Sequence, residues 1–187
     1  MSDESSEFDL GRMIGVLERH SVRYVLIGGV SGTFHGMVEY QTKDVGVLVQ
    51  DSRENLSSLA AALIELGARP VRIAERGPID AADLGVANTQ WDTDAGALDV
   101  LVSVAWPRDA TVVYADIHRN ADRVDVDGFV VSAASLDDLI AMKEAADRYK
   151  DHLALPELRR LRGDRYPERN TGNDPFGEFN IEDGADD

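Results

Sequence analysis

The chain has 187 residues, a net charge of −16 and no cysteine. That length suffices for one domain with its own core; the missing cysteine removes disulfides and thiolate metal sites; and the charge argues against broad electrostatic binding of nucleic acid. No apolar window approaches a membrane span, and the acidic start MSDESSEFDL does not read as a signal peptide, so a cytoplasmic protein is the expectation. The charge is uneven. Residues 1–9 carry four acids and no base, and residues 163–187 carry −6, but Lys143–Arg162 holds six bases against four acids. A local basic face therefore survives.

In chain order, residues 1–8 read as a disordered lead. Phe8, Leu10, Met13, Ile14 and Leu17 recur at helical spacing, which predicts a helix over Asp9–His20. Arg23–Ile27 reads as a short buried strand that ends at Gly28-Gly29, and Val30–Met37 suits a short helix. Val45–Val49 is a second strand. Asp51-Ser52 caps a helix over Arg53–Leu66, which Gly67 stops. Strands are expected at Val71–Ile73, Val86–Trp91 and Ala97–Val104, with a closing meander from Val112-Val113, Val124–Val126 and Phe129–Val131. Ser135 is an N-cap for a helix carrying Leu139, Ile140, Met142 and Lys143. Pro156 is expected to separate it from a last helix over Glu157–Arg162. Residues 163–187 are poor in apolar side chains and rich in Asp, Glu, Gly and Asn, as a disordered acidic tail would be. No internal repeat is present.

Four features could carry chemistry. Glycines at a strand-to-helix turn let backbone approach a phosphate, and Ser31 adds a hydroxyl, yet alone Gly28-Gly29 is more simply a tight turn. The pattern is neither GxGxxG nor a Walker loop. Asp44, after Thr42 and Lys43, opens an apolar strand, where a carboxylate is well placed to hold Mg²⁺ against phosphate oxygens or simply to start the strand. Asp99 lies inside ALDVLV, which is costly unless it is paired or binds a cation; both readings stay open. Lys143, Asp147 and Asp151 are four apart and are expected on one helix face, as a phosphate-neutralising group or as a solvated charge ladder. His35 reads as packing or a hydrogen bond, and His20, His118 and His152 show no metal spacing.

Together, YVLIGGVSGTFHG, QTKDVGVLV and SLDDLIAMKEAADRYKDHLALPEL resemble nucleotidyltransferase-like toxins of the AbiEii class and its mycobacterial MenT relatives, over roughly Val22 to Leu161. The resemblance implies an α/β (α+β) fold: a polymerase-β-like nucleotidyltransferase core, a mixed sheet flanked by helices, with a helical C-terminal part. It implies a single such domain over residues 1–162. Gly28, Gly29 and Ser31 match the loop that holds a triphosphate, with Thr42 and Lys43 beside it. Asp44 matches the first acid of an Asp-x-Asp metal motif and Asp99 the third carboxylate. Lys143 matches the helix lysine that meets nucleotide phosphates. Arg148 and Asp151 match an Arg-x-Lys-Asp segment that completes the site. The implied activity is transfer of a nucleotide from an NTP, with CTP or another pyrimidine favoured, to the 3′ end of tRNA. Such a toxin blocks translation, needs Mg²⁺ (or Mn²⁺), and is paired with an antitoxin protein.

Gly46 departs from that pattern. An Asp is expected there, on the strand face of Asp44 by the two-residue period. Two readings remain: a degenerate, weakly active member, or a chain with an inactivating change. Since every other motif residue is in place, the second is favoured. A catalytically silent NTP- or partner-binding module and a nucleotidyltransferase that modifies a protein are the alternatives.

Overall fold

The computed structural model describes residues 8–39, 41–71 and 79–163. The expected disordered lead (apart from Phe8), Ile73, and the tail beyond Gly163 lie outside the described residues.

Seven strands form the main sheet in the order β3-β4-β5-β2-β1-β9-β8. In chain order these are β1 (Tyr24–Ile27), β2 (Asp44–Val49), β3 (Arg69–Pro70), β4 (Thr89–Thr93), β5 (Gly96–Leu101), β8 (Asp122–Val126) and β9 (Phe129–Ala133). The sheet is mixed: β2 runs parallel to β5 and β1 parallel to β9, while the other neighbours are antiparallel. The intervening β6 (Val104–Trp106) and β7 (Ala110–Val112) form a separate hairpin.

Alternation along the central strands divides the apolar residues between two faces. Val45, Val47, Leu98 and Val100 point to one side, which α1 (Leu10–Arg19) and α3 (Arg53–Glu65) cover with Met13, Leu17, Leu59 and Leu63. Asp9 starts α1 by accepting from Arg12 N at 2.9 Å, and Ser52 starts α3 by accepting from Asn55 N at 3.3 Å. Gly67 ends α3 with φ +63°, a conformation that favours glycine. The other face presents Val25, Ile27 and Leu48. Against it pack Leu139 and Met142 of α6 (Leu136–Ala146), Val104 of β6, and Ile117 of α5 (Tyr114–His118). Ser135 caps α6, its hydroxyl 3.2 Å from Asp138 N. On this second face the apolar cover stops short of Asp44, and the site opens there.

Helix α2 (Gly28–Phe34) follows β1 directly, so the two glycines form its first turn rather than a loop ahead of it. Helix α4 (Ala81–Leu84) precedes β4. Helix α7 (Tyr149–Arg162) packs Ala154, Leu155 and Leu158 against Ile140 of α6 and against Met37.

Five expected elements differ; of the closing meander, only β8 and β9 join the main sheet, because β7 pairs with β6 in its own hairpin and Val113 N-caps α5. The strand over Ala97–Val104 stops at Leu101, because Asn88 takes Val102 N at 2.9 Å and donates to Ser103 O at 3.0 Å, pulling those residues out of the ladder. Val86–Asn88 follows α4 as a turn, and β4 begins only at Thr89. Of Val71–Ile73, only Val71 lies among the described residues; it extends β3 pairing through one bond, Val71 N to Gln90 O at 3.0 Å. Finally, Pro156 lies inside α7, and the break falls at Asp147, which takes a left-handed φ of 47°. Packing holds α7 together through the proline, since its neighbours Leu155 and Leu158 are buried on one side.

Candidate active site

The parallel pairing of β2 with β5 sets Asp44 beside Ala97 and Gly46 beside Asp99. Residues paired across strands share a face, as do residues two apart along a strand. Asp44, position 46 and Asp99 therefore project from one sheet face, at the edge of the apolar cover. Burial pushes the Asp99 carboxyl above its ordinary range, and the neighbouring Asp44 charge adds to this, against a hydrogen bond from Gln90 and the charges of Lys150 and Arg148. Gln90 pairs with Asp99 across β4 and β5. No sequence signal marks Gln90; only the register brings it in.

Thr42 orders the approach to Asp44. Its hydroxyl lies 3.0 Å from the Asp44 carbonyl and 3.1 Å from Oδ1. A Cβ on Gly29 would fall inside contact distance of the Thr42 side chain, so glycine there permits the close approach of α2 to this segment. Gly28 carries φ +69° with open space beside it. Lys43 is exposed. Ser31 does not reach the opening: it is fully buried, and its hydroxyl donates to Ala134 O at 2.9 Å. The expected phosphate contact from that hydroxyl therefore has no counterpart in this geometry. His35 also bonds Ala134 O, at 2.8 Å, in keeping with a structural part.

The expected one-face ladder of Lys143, Asp147 and Asp151 is replaced by a junction between two helices. Asp147 turns the chain and is exposed, while Asp151 swings back so that its Oδ1 lies 3.3 Å from Lys143 Nζ. Arg148 Nε donates to the other carboxylate oxygen of Asp151 at 2.7 Å. Asp151 is wholly buried and Lys143 nearly so. Burial alone would raise the Asp151 carboxyl, but the Arg148 hydrogen bond and the Lys143 and Arg148 charges hold it below the usual range. Burial also pulls the Lys143 ammonium down, against the attraction of Asp151. Arg148 and Asp99 line one cleft, which brings the cationic cluster beside the acidic face.

Two adjoining clefts meet at Asn88, Leu101 and Arg148. One, about 260 Å³, runs from Gly28 to Lys143, Asp151 and Met142. The other, about 390 Å³, runs past Asp99, Gln90 and Pro70. Asn88 and Leu101 were not foreseen; their part follows from the end of β5.

The resemblance drawn from the sequence implies divalent metal ions. Among the described residues, no group of three or more His, Cys, Asp or Glu could hold one by itself. Asp44 and Asp99 could contribute two carboxylates to one hard cation, with water and substrate phosphate oxygens supplying the rest of its shell. With glycine at 46, they do not supply the carboxylates that a pair of ions would share.

No protein-family model matches this sequence, and no curated protein matches it. Solved structures do. The lincosamide antibiotic adenylyltransferase LnuA, in its lincomycin-bound form, superposes with a TM-score of 0.56 at 13% identity, covering 81% of this chain and 95% of that one. The antibiotic-resistance factor ANT(2'')-Ia superposes with a TM-score of 0.52 at 15% identity, covering 80% of each chain. The chain has the nucleotidyltransferase fold, a mixed sheet flanked by helices. Among the described residues, no helix is long and apolar enough to cross a membrane.

Proposed function

We propose that the chain transfers a nucleotidyl group from an NTP to a hydroxyl acceptor. One observation carries the reading: Asp99, on the strand that pairs with the strand of Asp44, lines one cleft with Arg148 of the Lys143–Asp151–Arg148 cluster. Beside that cluster a cleft runs back to Gly28. In the reaction the acceptor hydroxyl gives up its proton to solvent as its oxygen attacks the α-phosphorus, the bond from that phosphorus to the α,β-bridging oxygen breaks, and pyrophosphate leaves. Mg²⁺ or Mn²⁺, held by Asp44 and Asp99, would supply positive charge against the phosphates. Lys143 and Arg148 stabilise negative charge on the phosphates, and Asp151 holds both cations in place. Gly28 and Gly29 let the first turn of α2 come close to the phosphates.

For the donor and acceptor, the motif order supports a toxin-like enzyme that uses CTP or another pyrimidine nucleotide, acts on the 3′ end of tRNA and is held by an antitoxin protein. The local surplus of bases over Lys143–Arg162 is compatible with an RNA end. A second reading is favoured by a specific observation: the 390 Å³ cleft beside Asp99 has the size of a small-molecule site, and LnuA, which shares the fold, is a lincosamide adenylyltransferase.

The test incubates the chain and its Gly46→Asp variant with each labelled NTP and Mg²⁺, against total tRNA and against a panel of small hydroxylic compounds. Label on tRNA supports the first reading and label on a small molecule the second. Failure of the Gly46→Asp variant to label any acceptor, including itself and protein partners, would remove the transfer reading altogether.

A further inference from the structure

We infer that Glu157 is a positioning residue for the segment that carries Thr42 and Asp44, an inference that rests on the nucleotidyl-transfer reading. Glu157 lies on α7 and is only 2% exposed. Its Oε1 accepts from Val38 N at 2.7 Å and Glu39 N at 3.1 Å, and its Oε2 from Glu39 N at 3.0 Å. Arg160 Nη2 lies 3.9 Å from Glu157 and 3.3 Å from Glu39. Val38 and Glu39 belong to the connection from α2 to β2, shortly before Thr42 and Asp44. Just ahead of them Met37, 1% exposed, is locked among Ala154, Leu155 and Leu158 of the same helix.

Packing alone would have been served by an apolar residue at 157, since burying a carboxyl is costly without directed partners. The two successive N–H groups supply those partners and fix the segment's direction as well as its contact. Six residues earlier on α7, Asp151 holds Lys143 and Arg148. That spacing is about 9 Å along a rigid helix. One helix thus grips the cationic cluster with its first turn and the metal-side segment with Glu157. The separation between the two halves of the site is set by α7 itself.

The test compares the full chain with Glu157→Ala, Glu157→Gln and, as a packing control, Leu158→Ala. Amide exchange is followed at Val38, Glu39 and residues 41 to 44. Mn²⁺ affinity in the presence of a non-hydrolysable CTP analogue is read by electron paramagnetic resonance beside the melting temperature. Glu157→Ala is expected to speed exchange as far as Asp44 and to weaken Mn²⁺–nucleotide binding on the order of tenfold. Glu157→Gln, which keeps a side-chain acceptor oxygen, is expected to restore most of both. Leu158→Ala should lower the melting temperature without that loss of affinity. Unchanged exchange at residues 41 to 44 in Glu157→Ala, or an affinity loss that only tracks melting as in Leu158→Ala, overturns the inference. If the unmodified chain binds no Mn²⁺–nucleotide, affinity is read in the Gly46→Asp background, where absence of binding removes the transfer reading; exchange alone then decides Glu157, faster exchange through Asp44 supporting it and unchanged exchange overturning it.

Discussion

Lys143 Nζ and Asp151 Oδ1 meet at 3.3 Å although they belong to different helices, joined by a left-handed turn at Asp147. The pair is buried and is completed by Arg148, so it works as the latch of the α6–α7 junction. Removing the acid takes away the buried carboxylate that bonds both Lys143 and Arg148 and releases the Arg148 Nε contact. Asp151→Ala is therefore expected to cost about 3–5 kcal/mol, read by urea denaturation. Lys143→Met should cost clearly less, because Arg148 Nε still satisfies the carboxylate at 2.7 Å. Equal losses would mean that the latch is not organised around Asp151.

The same carboxylate sets a pH dependence. Asp151 is held below its ordinary value of 3.8 by Arg148 and Lys143 once burial is overcome. In the interval below 3.8 the unfolded chain takes up the proton and the folded chain does not. The stabilisation is thus fully present above 3.8 and is lost as pH falls through the lower folded value. Thermal melting from pH 6 downward should show an acid limb that is shallower in Asp151→Asn. An identical limb in the variant would assign acid unfolding to other groups.

Asp99 has the opposite sign. Burial and Asp44 raise its carboxyl above 3.8, so the folded state bears a penalty at every pH above that raised value, and the penalty fades as pH falls. Asp99→Asn is expected to raise the melting temperature at pH 7 on the order of 2 °C, with a smaller gain near pH 4. The same change should weaken Mn²⁺–nucleotide binding. A gain in stability bought with lost ligand affinity is what a functional acid gives; a loss of stability would mark Asp99 as a structural partner of Gln90.

Gly29 tests how tightly α2 meets the segment before Asp44. An added Cβ would collide with Thr42, and overpacking of this kind costs roughly 1–3 kcal/mol. Gly29→Ala should be destabilised by that amount, and Thr42→Gly should recover most of the loss in the double variant. Additive losses would show that the glycine is needed for some other contact.

The central elements could be read from the chain because periodicity and caps are local. Asp9, Ser52 and Ser135 all start the helices they were expected to start, and β1 and β2 fall within a residue of expectation. What failed depends on long-range partners. Asn88 ends β5 from 14 residues away, and Pro156 stays helical because buried neighbours hold its helix together. In the site, Asp44 and Asp99 were visible as acids at the edge of apolar strands. The partner of the Ser31 hydroxyl could not be read there either, since Ala134 O lies over 100 residues away. Gln90 and Glu157 had no signal: one is defined by sheet register, the other by two amides over 100 residues earlier.

Position 46 is where register gives the sharpest expectation. Gly46 pairs with Asp99 and follows Asp44 by two, so an acid there would join both on one face. Glycine is not required by the backbone, since position 46 is not among the positive-φ residues. A Cβ would lie 3.2 Å from Ile27 Cγ1, a side-chain atom that needs to yield by a few tenths of an ångström. Gly46→Asp should therefore fold, with a small stability loss that Ile27→Val reduces. Titration of Mn²⁺ with a non-hydrolysable NTP should give one ion per chain before the substitution and two after it, with nucleotidyl transfer rising or appearing only in the variant. Two ions in the unmodified chain would require a ligand beyond Asp44 and Asp99. One ion in both would mean that the cationic cluster of Lys143 and Arg148, rather than a second metal, carries the remaining charge against the phosphates.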